Sequence, residues 1–213
     1  MIRFKIGTLP IRYLSVPYVT RRLITQDCSP LVEKITVKIN CWSAKLLSYA
    51  GRLQLIQFVL FSIQNYWCRH FILPKCVIKQ INQKCSRFFW KGSDIPSKRA
   101  RVSWPTICLP KAEGGLGLKD ITSWNKACII QNIWAILTQA GSLWIAWVEA
   151  YVLKGRSIWQ LPISSTCSWS WRKILQLREL AYRFIDRRDE VETWRFQGSK
   201  YSVTVIWDEI RPK

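Results

Sequence analysis

Trp42-Ser-Ala-Lys-Leu-Leu-Ser-Tyr-Ala-Gly-Arg52, continued by Leu53-Gln-Leu-Ile-Gln-Phe-Val-Leu-Phe-Ser-Ile63, is the most regular stretch of the chain. Leu46, Ala50, Leu53, Ile56, Leu60, Ile63 and Trp67 recur at three- and four-residue steps. That spacing predicts one buried helical stripe from about Lys45 to Arg69, about six turns long. On another face Lys45, Ser48 and Arg52 fall at i, i+3 and i+7, so two cations and a hydroxyl line up where a phosphate would bind. The same spacing also fits the solvated face of an ordinary amphipathic helix.

Outward from this stretch, periodicity predicts a mainly α chain. Ser29-Pro30, with Glu33 in the first turn, reads as the start of a helix to about Asn40, with Leu31, Ile35 and Ile39 inward. Pro74 starts another, to about Trp90, with Ile78, Ile81, Cys85 and Phe88 inward. Along it Lys75, Lys79, Gln83, Arg87 and Lys91 step by four, either a solvated face or a stripe for an anion. Further helices are expected over Ile121–Thr138, Leu143–Leu153 and Trp171–Ile185. Tyr13–Tyr18 reads as a short strand stopped by Pro17, and Val102–Trp104 as extended. Tyr201–Val205 fits a strand or a helix start. Gly114, Gly115 and Gly117 match neither phosphate-loop pattern and read as a tight turn.

Among 213 residues, Lys plus Arg number 33 and Asp plus Glu 13, a net charge of +20. An excess of that size favours a polyanionic partner, nucleic acid or an anionic membrane surface. Ala127–Val148 carries no charge, but Gln131, Asn132, Thr138, Gln139, Gly141 and Ser142 interrupt it. It therefore reads as two buried helices meeting near Gly141, and a membrane partner is disfavoured. The 13 Trp residues supply core area and also faces for stacking.

The eight Cys include no C-x-x-C pair, and His70 is the single His. Neither a zinc site nor a disulfide framework is expected, only reduced thiols in a nuclear or cytosolic, non-secreted protein. The acids are scattered, with no paired carboxylates for two-metal chemistry. Cys68 and His70, two apart, do not share a helix face. No catalytic residue, cofactor or small-molecule substrate is expected on this chain.

Several motifs then stand in a fixed order: Tyr13-Leu-Ser-Val-Pro17, Trp42–Arg52, Tyr66-Trp67, Phe88-Phe-Trp90, Pro110–Gly117, Trp124-Asn125, Leu143-Trp144, Trp147 and Ser168-Trp-Ser-Trp-Arg172. Together they resemble plant non-LTR (LINE-type) retrotransposon reverse transcriptases, in the region after the polymerase palm, from about residue 4 to residue 186. The resemblance implies a primer-grip-like extended segment at 1–26 and a helical thumb-like region at 27–110. A helical linker region at 111–186 follows, and a compressed tail at 187–213 is similar to the entry of the family's zinc-binding domain. The expected fold is a thumb-like helical bundle, incomplete as a stand-alone domain.

The implied partner is the backbone of a template–primer duplex or hybrid, RNA or DNA. The resemblance places Tyr13 near the primer end and Lys45, Ser48 and Arg52 in the thumb, and the row read from spacing adds Lys75, Lys79, Arg87 and Lys91 as candidate contacts. The family's catalytic aspartates are expected upstream and its Cys/His zinc ligands downstream, so no polymerase activity is expected of this stretch by itself. Ser15 stands where the family has Gly. The competing expectations are an inactive retroelement relic and a basic membrane-associated helical protein.

Overall fold

The computed structural model describes residues 11–13, 16–19, 21–43, 46–93, 102–186, 193–194 and 202–212. The chain is mainly α. It forms two compact units, Met1–Trp67 with Leu73–Ile107, and Cys68–Ile72 with Cys108–Lys213.

In the first unit β1 (Ile11–Tyr13) pairs antiparallel with β2 (Val16–Tyr18). Pro17 does not stop the strand. It sits inside β2 opposite Arg12, which a two-stranded ribbon tolerates because both strands are edges. A 3-10 turn at Gln26–Cys28 leads into α1 (Ser29–Ser43), so Ser29 is already helical and is not the predicted cap. Asp27 does the local pairing instead. Its carboxylate accepts the Ile24 N–H at 2.9 Å and two bonds from Arg21 at 2.8 and 3.0 Å. The predicted inner stripe of α1, Leu31, Ile35 and Ile39, is buried.

The long helix begins four residues later than its spacing suggested. Ser48, at φ −64° and ψ 163°, is the N-cap of α2 (Tyr49–Gln54), and its hydroxyl accepts the Gly51 N–H at 3.2 Å. A hydroxyl in that position satisfies an otherwise orphaned helix donor, which favours starting there. Leu46, expected on the buried stripe, precedes the helix and is exposed.

α2 runs without a break through a π-helical stretch, Leu55–Leu60, into α3 (Phe61–His70). This changes which side chains turn inward. Arg52, Ile56, Leu60 and Gln64 are buried, each four residues from the next. In a 3.6-residue helix a step of four drifts by about 40°. The wider i→i+5 turns take back part of that drift. Leu53 and Ile63, predicted inward, are only partly buried.

α4 (Lys75–Lys91) buries the predicted Ile78, Ile81, Cys85 and Phe88, with Val77 and Phe89 beside them. It ends at Gly92, whose φ of 76° places it in the left-handed region that terminates helices. α1 and α2 both pack on α4, and Trp42 meets Phe88 with ring centres 5.7 Å apart. α5 (Trp104–Ile107) is a single turn that begins at the last residue of the segment predicted extended. Pro105 is tolerated in that first turn because its missing N–H would have no intrahelical partner there.

The second unit is organised on α6 (Ile121–Leu137). Asp120 caps it, accepting the Ser123 N–H at 2.8 Å. Trp124, Ala127, Cys128, Ile130 and Ile133 are buried on several sides of the helix, the pattern of an interior helix. α10 (Val203–Ile210) packs along it, so of the strand-or-helix alternatives the helix start holds from Val203. Asn125, 2% exposed, donates to the carbonyls of Cys68 at 2.9 Å and Phe71 at 2.6 Å. These are carbonyls that the end of α3 would otherwise leave unpaired.

α6 stops at Thr138, and Ser142 caps α7 (Leu143–Trp147), which runs on through a π-helical stretch, Val148–Leu153. The charge-free segment is therefore two helices parted near Gly141, and no described helix is long and apolar enough to cross a membrane. The last predicted helix, 171–185, is broken. α8 (Trp169–Gln176) and α9 (Arg178–Tyr182) are separated at Leu177. β3 (Ile185–Asp186) follows and pairs with β4 (Thr193–Trp194).

Candidate nucleic-acid interface

From residue 34 to residue 93 the chain carries ten Lys or Arg and no Asp or Glu. α4 holds five of those cations: Lys75, Lys79, Lys84, Arg87 and Lys91. Lys75, Lys79, Gln83 and Lys91 are exposed, and Arg87 is half-buried. At 100° per residue a row of i+4 steps winds by about 40° each time, so Lys75 and Lys91 stand about 160° apart around the axis. The row therefore crosses the outer half of α4 diagonally, opposite the buried Ile78–Ile81–Cys85 side. Along the axis it covers about 24 Å, the length of about seven B-DNA steps.

Of the predicted trio on the long helix, Ser48 and Arg52 are described. Lys45 lies outside the described residues, as does the side chain of Tyr13 at the end of β1. Ser48 spends its hydroxyl on the helix cap. Arg52 is only 8% exposed. Its guanidinium lies 4.4 Å from the centre of the Tyr49 ring and against Gly92, where an added Cβ would stand 3.3 Å from Nη1. Tyr49 in turn meets Phe89 and Trp90 edge-on, at 6.0 and 6.2 Å. Arg52 thus ties the start of α2 to the end of α4, with the positive charge held over an aromatic face. Sequence spacing put it on an open face because spacing does not reveal the π-helical phase shift or the start of the helix.

Many cations of the second unit are committed to the fold. Arg178 Nη1 donates to the carbonyls of Ile158, Trp159 and Leu161 at 2.7, 3.1 and 2.8 Å, and Nε donates to Leu175 at 3.0 Å. One guanidinium fork thereby pins an irregular segment and satisfies a carbonyl where α8 ends. Arg172 donates to the Ser164 and Ser165 carbonyls at 3.4 and 2.9 Å. Lys119 Nζ lies 3.8 Å above the Trp124 ring and 5.7 Å from the Trp207 ring, and burial lowers its pKa. Burial also pushes the thiols of Cys28 and Cys128 up to about 12. Asp27 adds to the effect at Cys28, while Arg69 opposes it at Cys128. Among the described residues no three His, Cys, Asp or Glu converge as a metal site would require.

Trp144, Trp147 and Tyr151 line a cleft in the second unit. Their i, i+3, i+7 spacing was visible, but a helix with exposed aromatics is not distinguishable from a buried one by spacing alone.

The fold and its surface define a mainly α, strongly basic protein. No family model matches the chain. It is 30% identical, over 162 residues, to an Arabidopsis thaliana protein provisionally named a ribonuclease H protein, covering 75% of this chain and 26% of that protein. It is 26% identical over 114 residues to an uncharacterized mitochondrial protein of Arabidopsis thaliana, covering 53% of this chain and 74% of the relative. The chain thus spans about a quarter of the length of the first relative. Both relatives are plant proteins.

Proposed function

We propose that this chain is a non-catalytic segment of a LINE-type reverse transcriptase that binds the backbone of a template–primer duplex or hybrid without reading its sequence. The observation that carries this reading is the acid-free stretch 34–93, with an exposed row of cations on α4. In the second unit Arg172, Arg178 and Lys119 are held by carbonyls and aromatic rings, whereas Lys75, Lys79 and Lys91 stand open to solvent. Cations without acids on one helix match a polyphosphate backbone, which is contacted through charge and carries no sequence information. The ordered motifs of the sequence and a relative named for ribonuclease H support the same reading.

The test is retention of the purified chain on a blunt RNA–DNA hybrid. Binding at low salt that falls steeply as salt rises, equally for unrelated hybrid sequences, is the expected result. A folded sample that does not bind at low salt refutes the reading.

A further inference from the structure

The cleft in the second unit is about 520 Å³, within the range of small-ligand sites. Part of its lining is aromatic. Trp147 and Tyr151 stack with ring centres 6.0 Å apart and planes 27° apart, and they remain 54% and 68% exposed. Trp144 and Trp171 add two further rings to the lining. The lining also holds the hydroxyl residues Ser164, Thr166, Ser168 and Ser170. Arg156 is the charged residue of the lining, and the lining holds no Asp or Glu. Arg156 is exposed, and its Nε donates to the Leu153 carbonyl at 3.4 Å, which ties the side chain to the backbone.

The lining is held in place before any ligand arrives. Arg172 clamps the carbonyls of Ser164 and Ser165, and Arg178 clamps those of Ile158, Trp159 and Leu161. Ser164 and Thr166 share a 2.8 Å hydrogen bond, so these hydroxyls are themselves tied. Two inward clamps on an irregular segment pre-organise the cleft and reduce the ordering cost of binding.

We propose that this cleft takes an unpaired nucleobase of single-stranded RNA or DNA, stacked on the Trp147–Tyr151 pair, with its phosphate at Arg156. A flat apolar face, hydroxyl-bearing residues and a cation without an acid complement a planar ring joined to an anion. A paired base keeps its faces covered by its neighbours, so a duplex does not fit this cleft. The inference rests on the reading of the chain as a nucleic-acid binder and adds a second, chemically different site.

The test measures, on the whole chain, affinity for a twelve-nucleotide oligo-uridine, for the same backbone without bases, and for a blunt RNA–DNA hybrid. Trp147→Ala with Tyr151→Ala is expected to weaken oligo-uridine binding about tenfold or more while hybrid binding stays within about twofold. The abasic strand is expected to bind like the double variant binds oligo-uridine. Trp147→Phe should keep most of the affinity, and unchanged circular dichroism should show that each variant is folded.

Wild-type protein that binds the hybrid but holds abasic and base-bearing strands equally overturns the cleft and leaves the backbone reading standing. Wild-type protein that binds neither overturns both. A proline-rich peptide that competes for Trp147 while oligo-uridine does not would assign the cleft to a polypeptide and likewise overturn the proposal.

Discussion

Arg211 grips Glu113 with both terminal nitrogens, Nη1 to Oε2 at 2.9 Å and Nη2 to Oε1 at 2.5 Å, across 98 residues of sequence. Its Nε also donates to Asp208 at 2.7 Å. Arg211 is buried while Glu113 is 40% exposed, so part of the attraction is screened by water. The pair joins the residue after α10 to the glycine turn before α6. Arg211→Ala is expected to cost about 1–2 kcal/mol through the lost charge-assisted bonds, lowering Tm by about 2–8 °C. Arg211→Lys should recover little of this, because one ammonium does not reproduce the two-pronged geometry. Thermal melts followed by far-UV circular dichroism check both.

Gly115 and Gly114 sit side by side in that turn, and replacing each has a different cost. A Cβ on Gly115 would stand 2.0 Å from the Leu109 carbonyl oxygen, which is backbone and does not yield easily. The turn also closes there, through Gly115 N–H to Pro110 O at 3.0 Å and Gly117 N–H to Leu109 O at 2.9 Å. Gly115→Ala is expected to cost about 3 kcal/mol or more. Gly114, at φ 81°, has open space around it, so Gly114→Ala should cost only the left-handed backbone penalty of about 1–2 kcal/mol. Chemical denaturation curves separate the two.

Removing Lys75, Lys79 and Lys91 together tests the row on α4. The triple Ala variant should lower the slope of log K against log salt for hybrid binding by about 0.9 per contact, roughly 2.7 in all. The melt should be unchanged, since all three side chains are exposed. Arg52→Ala is expected to do the reverse, lowering the melt while leaving the slope within about 0.5, because Arg52 is buried against Tyr49 and Gly92. An unchanged slope in the triple variant removes α4 from the interface.

The buried thiols set an alkaline limit. Cys28 and Cys128 hold their protons to about pH 12 in the fold, whereas an unfolded thiol releases its proton near pH 8.5. Between those values the folded state binds more protons than the unfolded one, so stability is fully present below about pH 8.5 and falls as pH rises. Melts between pH 8 and pH 11 should show the decline, reduced in a Cys28→Ala variant. At pH 8 iodoacetamide should label Cys41 and Cys76, which are exposed, far faster than the buried Cys28, Cys68, Cys85, Cys108 and Cys128.

Much of the helical plan was legible because apolar spacing and punctuation agree. In α1, α4 and the helix beginning at Leu143 the inward residues recur near 3.6, and Gly92, Asp120 and Ser142 mark ends by backbone geometry or local hydrogen bonding. The glycine turn was legible for the same reason. Where the plan failed, the cause was a tertiary demand on a locally plausible pattern. The helix at Leu177 breaks beside an Arg178 fork turned onto a distant segment, and Pro17 is accommodated by a partner strand that spacing does not reveal.

The sequence by itself determined the mainly α class, the +20 charge and the absence of acids around α4, since these depend on composition and on neighbours within a few residues. Only the tertiary structure decided what each cation does. Arg52, Lys119, Arg172, Arg178 and Arg211 are turned onto rings, carbonyls or carboxylates, whereas Lys75, Lys79 and Lys91 face water. A cation's role depends on its burial and on partners distant in sequence. At Arg52 it also depends on the late start of a helix and a π-helical stretch that rotates its face.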